Sequence, residues 1–209
     1  DVARPQNNIV EVRLSGADGY TDTFPYEKAL NPTTLVVYKM NGAPLPERNG
    51  YPVRVIVPGM YGEKNVKWVT RIELIDYDAK GFYESQGWGP NFVIPINARF
   101  HGPRIDDALP VAQPVRIVGT AFAGDQGISR VEVSTNAGQR WEPAQITYAG
   151  TRLSWAHWQY TWTPPRAGEY TWLVRAYDSN GQRQTQAERG IVPQGATGYH
   201  RVTVRVAQA

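Results

Sequence analysis

At 209 residues, with 41% hydrophobic and 20% charged side chains, the chain has the make-up of an ordinary globular protein of one large or two modest domains. A net charge of +3 mildly favours an anionic ligand, but no clustered basic patch supports nucleic-acid binding and no apolar run is long enough to span a membrane. The absence of cysteine excludes disulfides, cysteine-ligated zinc and a cysteine nucleophile.

Sixteen prolines and 20 glycines, with little helical periodicity, predict a mainly β chain of short strands and many turns. Residues 1–8 are polar and read as an arbitrary or cleaved start, with no signal peptide among them. Residues 9–14 alternate as a strand, and residues 15–20 form a loop around an Asp18-Gly19 turn. Residues 25–30 suit a single helical turn, and residues 35–38 a short buried strand. Asn41-Gly42 and the prolines at 44 and 46 mark further turns.

The stretch 49–68, NGYPVRVIVPGMYGEKNVKW, is the most informative part of the chain. Asn49-Gly50 is a turn, since both residues tolerate a left-handed backbone. Val53, Val55 and Val57 alternate with Arg54 and Ile56 as a strand, which Pro58-Gly59 stops. Lys64, Asn65 and Lys67 follow in a polar loop, and an arginine at a strand end facing such a loop suits an anion. A solvated basic turn has the same residue types and about even odds. Trp68 is expected in the core, and residues 69–75 resume an apolar strand.

Residues 76–90 are rich in glycine and aromatics, among them Tyr83 and Trp88. From residue 92 onward, short strands recur between turns, at 93–100, 115–122, 128–135, 155–162, 170–177 and 200–206. That spacing, with tryptophan in the middle, predicts an antiparallel β-sandwich of immunoglobulin type. His101, His157 and His200 lie too far apart for a spaced metal motif, so no metal ligand is assigned. Asp106-Asp107 read as solvated, and no nucleophile elbow is present.

The central stretch resembles the second-half signature of the sulfite oxidase family of molybdopterin oxidoreductases. RVEVSTNAGQRW and LVRAYDSNGQ resemble that family's dimerisation domain, so the likeness covers nearly the whole chain. It implies a fold that is mainly β with some α: the C-terminal half of a molybdopterin-binding domain over residues 1–92, then an Ig-like dimerisation domain over 93–209. It also implies that Asn49 and Arg54 contact the cofactor, that Asn65, Val66 and Lys67 cradle its phosphate end, and that Asp18 adds a contact. Asn49 stands where animal and plant sulfite oxidases carry histidine; bacterial sulfoxide-reductase relatives carry asparagine there. Trp88 or Tyr83 would line the substrate pocket, and Arg189 stands near the family's substrate-binding arginine.

The family's metal is held by a cysteine thiolate earlier in its chain. The expectation is therefore part of a bacterial, periplasmic or extracytoplasmic enzyme, inactive alone and sharing molybdopterin with a cysteine-bearing N-terminal half or subunit. Homodimerisation, a redox partner and a small anionic or sulfur-containing substrate complete it. The alternative is a non-catalytic Ig-like binding module presenting Trp141, Trp155, Trp158 and Trp162.

Overall fold

The computed structural model describes residues 5–103 and 108–208, so Asp106 and Asp107 lie outside the described residues. The chain divides into two compact units. One runs to Val93 and takes back Val192–Gln194; the other comprises Ile94–Ile191 and the residues from Gly195 onward.

In the first unit, β1 (Glu11–Gly16) lies between β2 (Thr21–Pro25) and β7 (Val69–Ile75) in an antiparallel sheet of order β2-β1-β7. Alternation in β1 buries Val12 and Leu14, which pack with Phe24, Val55, Val57 and Val66. The helical turn α1 (Tyr26–Ala29) follows β2. Next come β3 (Leu35–Val37), the small hairpin of β4 (Lys39–Met40) and β5 (Ala43–Pro44), and β6 (Arg54–Ile56), which pairs with β3. A second helical turn, α2 (Phe82–Ser85), lies beyond β7. The expected strand at 35–38 forms, but it is not buried. Leu35 and Val36 are half-exposed and Tyr38 is 65% exposed, because β3 pairs only with β6 and nothing covers that face.

The second unit is a sandwich. One sheet has the order β13-β14-β10-β8, built from β8 (Asn97–Gly102), β10 (Val115–Phe122), β13 (Gln145–Tyr148) and β14 (Ala156–Trp162). The other has the order β12-β11-β15-β16-β9. Its strands are β9 (Leu109–Pro110), β11 (Ile128–Ser134), β12 (Glu142–Pro143), β15 (Gly168–Asp178) and β16 (His200–Ala207). All pairings are antiparallel except the short parallel one between β16 and β9. Inward residues of both sheets, including Ile117, Val131, Trp158, Trp172 and Val204, form one core. The strand expected at 93–100 begins only at Asn97, after Pro95.

The four tryptophans do not form one exposed platform, and of the four only Trp155, at 42%, is exposed. Trp158 and Trp162 are buried, the Arg175 guanidinium lies over Trp141 at 4.0 Å, and Trp155 stacks on Phe122 with ring centroids 5.1 Å apart.

Candidate functional site: the loop between β6 and β7

The loop between β6 and β7 is held by donors that point at backbone carbonyls. The 3-10 turn Glu47–Asn49 offers three successive carbonyl oxygens. Trp68 Nε1 donates to Glu47 O at 3.0 Å, Lys67 Nζ to Arg48 O at 2.9 Å, and Arg54 Nη1 to Asn49 O at 3.0 Å. Arg54 Nη2 reaches across to Asn65 O at 3.1 Å, so one guanidinium ties the turn to the loop. Burial pushes the Arg54 pKa down, and its Nε is buried without a partner. Gly50 makes this approach possible. Its backbone is left-handed at φ 109°, and a Cβ there would stand 3.0 Å from Arg54 Cβ and 3.1 Å from Lys67 Cβ.

Asn65 also faces the protein. Its Oδ1 accepts from Val57 N at 2.6 Å and its Nδ2 donates to Tyr61 O at 3.2 Å, which fixes the path of the loop. Val66 is buried, and its carbonyl accepts from Val55 N. Among the described residues, the backbone N–H groups of Val66, Lys67 and Trp68 meet no acceptor. Three consecutive open N–H groups beside a lysine make a concave donor set of the kind that takes an anion. They border a cavity of about 320 Å³ lined by Asp18, Tyr20, Glu63, Asn65, Lys67 and Tyr83, among others. This donor set fits the phosphate end of a pterin cofactor.

Asp18 Oδ1 accepts from Tyr20 N, which shapes the loop after β1. A Cβ at Gly16 would stand 2.7 Å from that oxygen and 2.9 Å from Lys67 O, so the glycine lets the two loops close up. Asp18, Asn65, Val66 and Lys67 thus share one cavity, with Arg54 and Asn49 bracing it from behind. Tyr83 lines the cavity; Trp88 meets it edge-on at 6.0 Å and packs toward the core. Arg189 belongs to the other unit, where its Nε donates to Gly195 O at 3.0 Å.

Two expectations for the loop change. Lys64 does not join Lys67 in the polar, anion-facing run. It is buried against Asp22 at 2.6 Å, with Glu84 at 3.7 Å and its Nζ 3.7 Å from the Phe92 ring centre. Trp68 is only partly buried and lines the cavity on a left-handed backbone (φ 50°), so it is not a core residue. Sequence reasoning missed Tyr20, whose hydroxyl donates to Asp22 Oδ2 at 2.7 Å, and missed Glu63. The spacing Tyr20-x-Asp22 at the start of β2 was the available signal.

Residues 1–83 match the family model described as the oxidoreductase molybdopterin binding domain, and residues 91–207 match the Mo-co oxidoreductase dimerisation domain. The chain belongs to the sulfite oxidase family of molybdopterin oxidoreductases. Mitochondrial sulfite oxidase of Mus musculus is 32% identical over 218 residues, covering 90% of this chain and 39% of that protein. The NADH nitrate reductase of Ulva prolifera is 31% identical over 179 residues, covering 69% of this chain and 21% of that one. The chain therefore spans about two fifths, or less, of the length of these curated relatives. Among solved structures, the sulfane dehydrogenase SoxCD of Paracoccus pantotrophus shares the fold. Its TM-score is 0.76 at 22% identity, over 98% of this chain and 59% of that one. No helix among the described residues is long and apolar enough to cross a membrane.

Proposed function

We propose that this chain supplies the tail-binding cradle and the subunit interface of a molybdenum oxidoreductase that moves an oxygen atom to or from a small sulfur-containing substrate. The observation that carries the reading is the run of open N–H groups at 66–68 beside Lys67, braced by Arg54. Val66, Lys67 and Trp68 would take the phosphate oxygens through their backbone, with the Lys67 ammonium adding charge. Asn49, Arg54 and Asn65 would keep that backbone in place, and Asp18 would close the cavity's other side. The bound cofactor supplies the two-electron redox chemistry at molybdenum. A cysteine-bearing segment or subunit beyond these 209 residues would supply the thiolate, because no cysteine is present here.

On this reading the cofactor portion ends near residue 92 and the remainder is the interface domain, through which two copies associate. Sulfite or a sulfoxide is the leading substrate class, and a redox partner takes or gives the electrons. A periplasmic location rests on the family resemblance, and fractionation of producing cells checks it.

The test is pterin content of the complete enzyme, read by fluorescence after oxidation. Charge-assisted hydrogen bonds are worth roughly 1.5–3 kcal/mol each, so Arg54→Ala is expected to lower retention about tenfold to a hundredfold. Arg71→Ala is the control, because Arg71 is 68% exposed on β7 and pairs with Glu73 on the same strand. Arg54→Lys, which keeps the charge but loses the fork, should fall between them. Equal pterin in Arg54→Ala and wild type would sink the assignment.

A further inference from the structure

The cavity that suits an anion also holds an acid. Glu63 sits on the 3-10 turn Gly62–Lys64, just before the cradle, and lines the same cavity as Asn65 and Lys67. Its Oε1 is buried and meets no hydrogen-bond partner. An ionised carboxylate oxygen in that position is costly, whereas a carboxylic acid brings a donor of its own. The charged groups around it compensate only in part. Asp22 on β2 adds a like charge, and the favourable charge of Lys64 on the same turn is shared with Asp22 and Glu84 of α2. Tyr20 donates to Asp22 and, more weakly, to the Glu63 carbonyl, so it gives the Glu63 carboxyl nothing. Lys67 and Asp18 face the cavity as one cation and one anion, and Tyr83 of α2 adds no charge. Burial first, then the Asp22 charge, push the Glu63 carboxyl above its ordinary value of 4.5, against the opposing pull of its own backbone N–H and of Lys64.

We propose that Glu63 is a cofactor-positioning residue that donates a hydrogen bond from its protonated carboxyl to the anionic tail held at 66–68, and loosens that tail when it ionises. This rests on the cofactor-tail reading above. It makes retention of the cofactor depend on pH through one side chain. A protonated acid adds a fourth donor beside the three N–H groups, while the ionised form sets a carboxylate against a phosphate.

The complete enzyme is dialysed at steps from pH 5 to pH 8.5, and pterin is measured by fluorescence after oxidation. Wild type should lose pterin at least tenfold faster at pH 8.5 than at pH 5. Glu63→Gln keeps the shape and a donor without the charge, so its loss rate should change much less. The phosphate's own ionisation is common to both proteins and cancels in the comparison. Lys67→Ala is run in parallel. If Lys67→Ala loses pterin but wild type and Glu63→Gln share one pH profile, the Glu63 proposal is overturned and the cradle stands. If Lys67→Ala retains pterin like wild type at every pH, the cradle reading falls and takes this proposal with it.

Discussion

The two units handle apolar surface in opposite ways. In the sandwich, each sheet covers the other, so Ile117, Val131, Trp158 and Val174 are all within 1% of full burial. In the first unit the apolar face of the β2-β1-β7 sheet runs on uncovered. Val12 and Leu14 pair across the ladder with Leu74 and Ile72 and share their face. Yet Val12 and Leu14 are buried, while Leu74 and Ile72 are 44% and 48% exposed. Leu30, Leu35, Val36 and Tyr38 add to the same kind of surface. β6 and the residues after it cover only the Val12 and Leu14 part of that face, and the unit also relies on a buried ion pair, Lys64–Asp22, and a guanidinium bonded to two carbonyls. A sheet face left half-covered invites a partner element, since contiguous exposed apolar surface is usually an interaction site.

The sharpest way to break the contrast is at the sandwich centre. Trp158→Ala removes a ring packed edge-on against Phe100 and should cost about 3–5 kcal/mol. Urea unfolding followed by fluorescence should show the sandwich transition moving to lower urea; an unshifted midpoint would mean the two-sheet core is not what stabilises this unit. In the first unit the corresponding weak point is polar. Lys64→Ala leaves Asp22 buried without its cation and should cost roughly 3–4 kcal/mol. Hydrogen exchange should then speed up in β1 and β2 and stay unchanged in β10 and β14. Uniform acceleration through both units would show that they do not unfold separately.

A smaller effect separates the units by pH. His200 Nδ1 accepts from Phe100 N at 3.0 Å, and burial, followed by the charges of Arg99 and His101, lowers the imidazole below 6.5. The folded state therefore takes up this proton less readily than the unfolded chain. Stability present at and above about pH 6.5 is lost as pH falls from there through the folded value. The hydrogen bond sets the scale at about 1 kcal/mol, reduced by solvent screening of a half-exposed ring. His200→Gln should flatten the sandwich's melting temperature between pH 7 and pH 5; a slope unchanged from wild type would assign it to other groups. The smallest effect is expected at Val36. Val36→Ser should change stability by less than about 0.5 kcal/mol, because the side chain is 56% exposed. Sedimentation should match wild type, because the proposed association uses the other unit; a change in mass for Val36→Ser would move the interface to β3.

Local pattern determined a good deal of this protein. Alternation in residues 9–14, 115–122 and 200–206 marked strands because side-chain direction has period two and needs no distant partner to be read. The glycines and prolines placed the turns for the same local reason. The stretch 49–68 carried the family, and its residues do meet around one loop. What sequence did not determine was which face would be covered. The valines at 36 and 37 look like core residues, yet β3 has only β6 beside it, and burial depends on layers that no local pattern specifies. The same holds for charge. Lys64 and Lys67 are three residues apart and equally basic on paper. Only the packing of β2 and α2 over the turn buries Lys64 against Asp22 and Glu84, while Lys67 borders the cavity. Asn65 and Arg54 read as ligand contacts because of their chemistry. The tertiary structure turns both toward backbone groups that would otherwise lack partners, and leaves open N–H groups in the loop that borders the cavity.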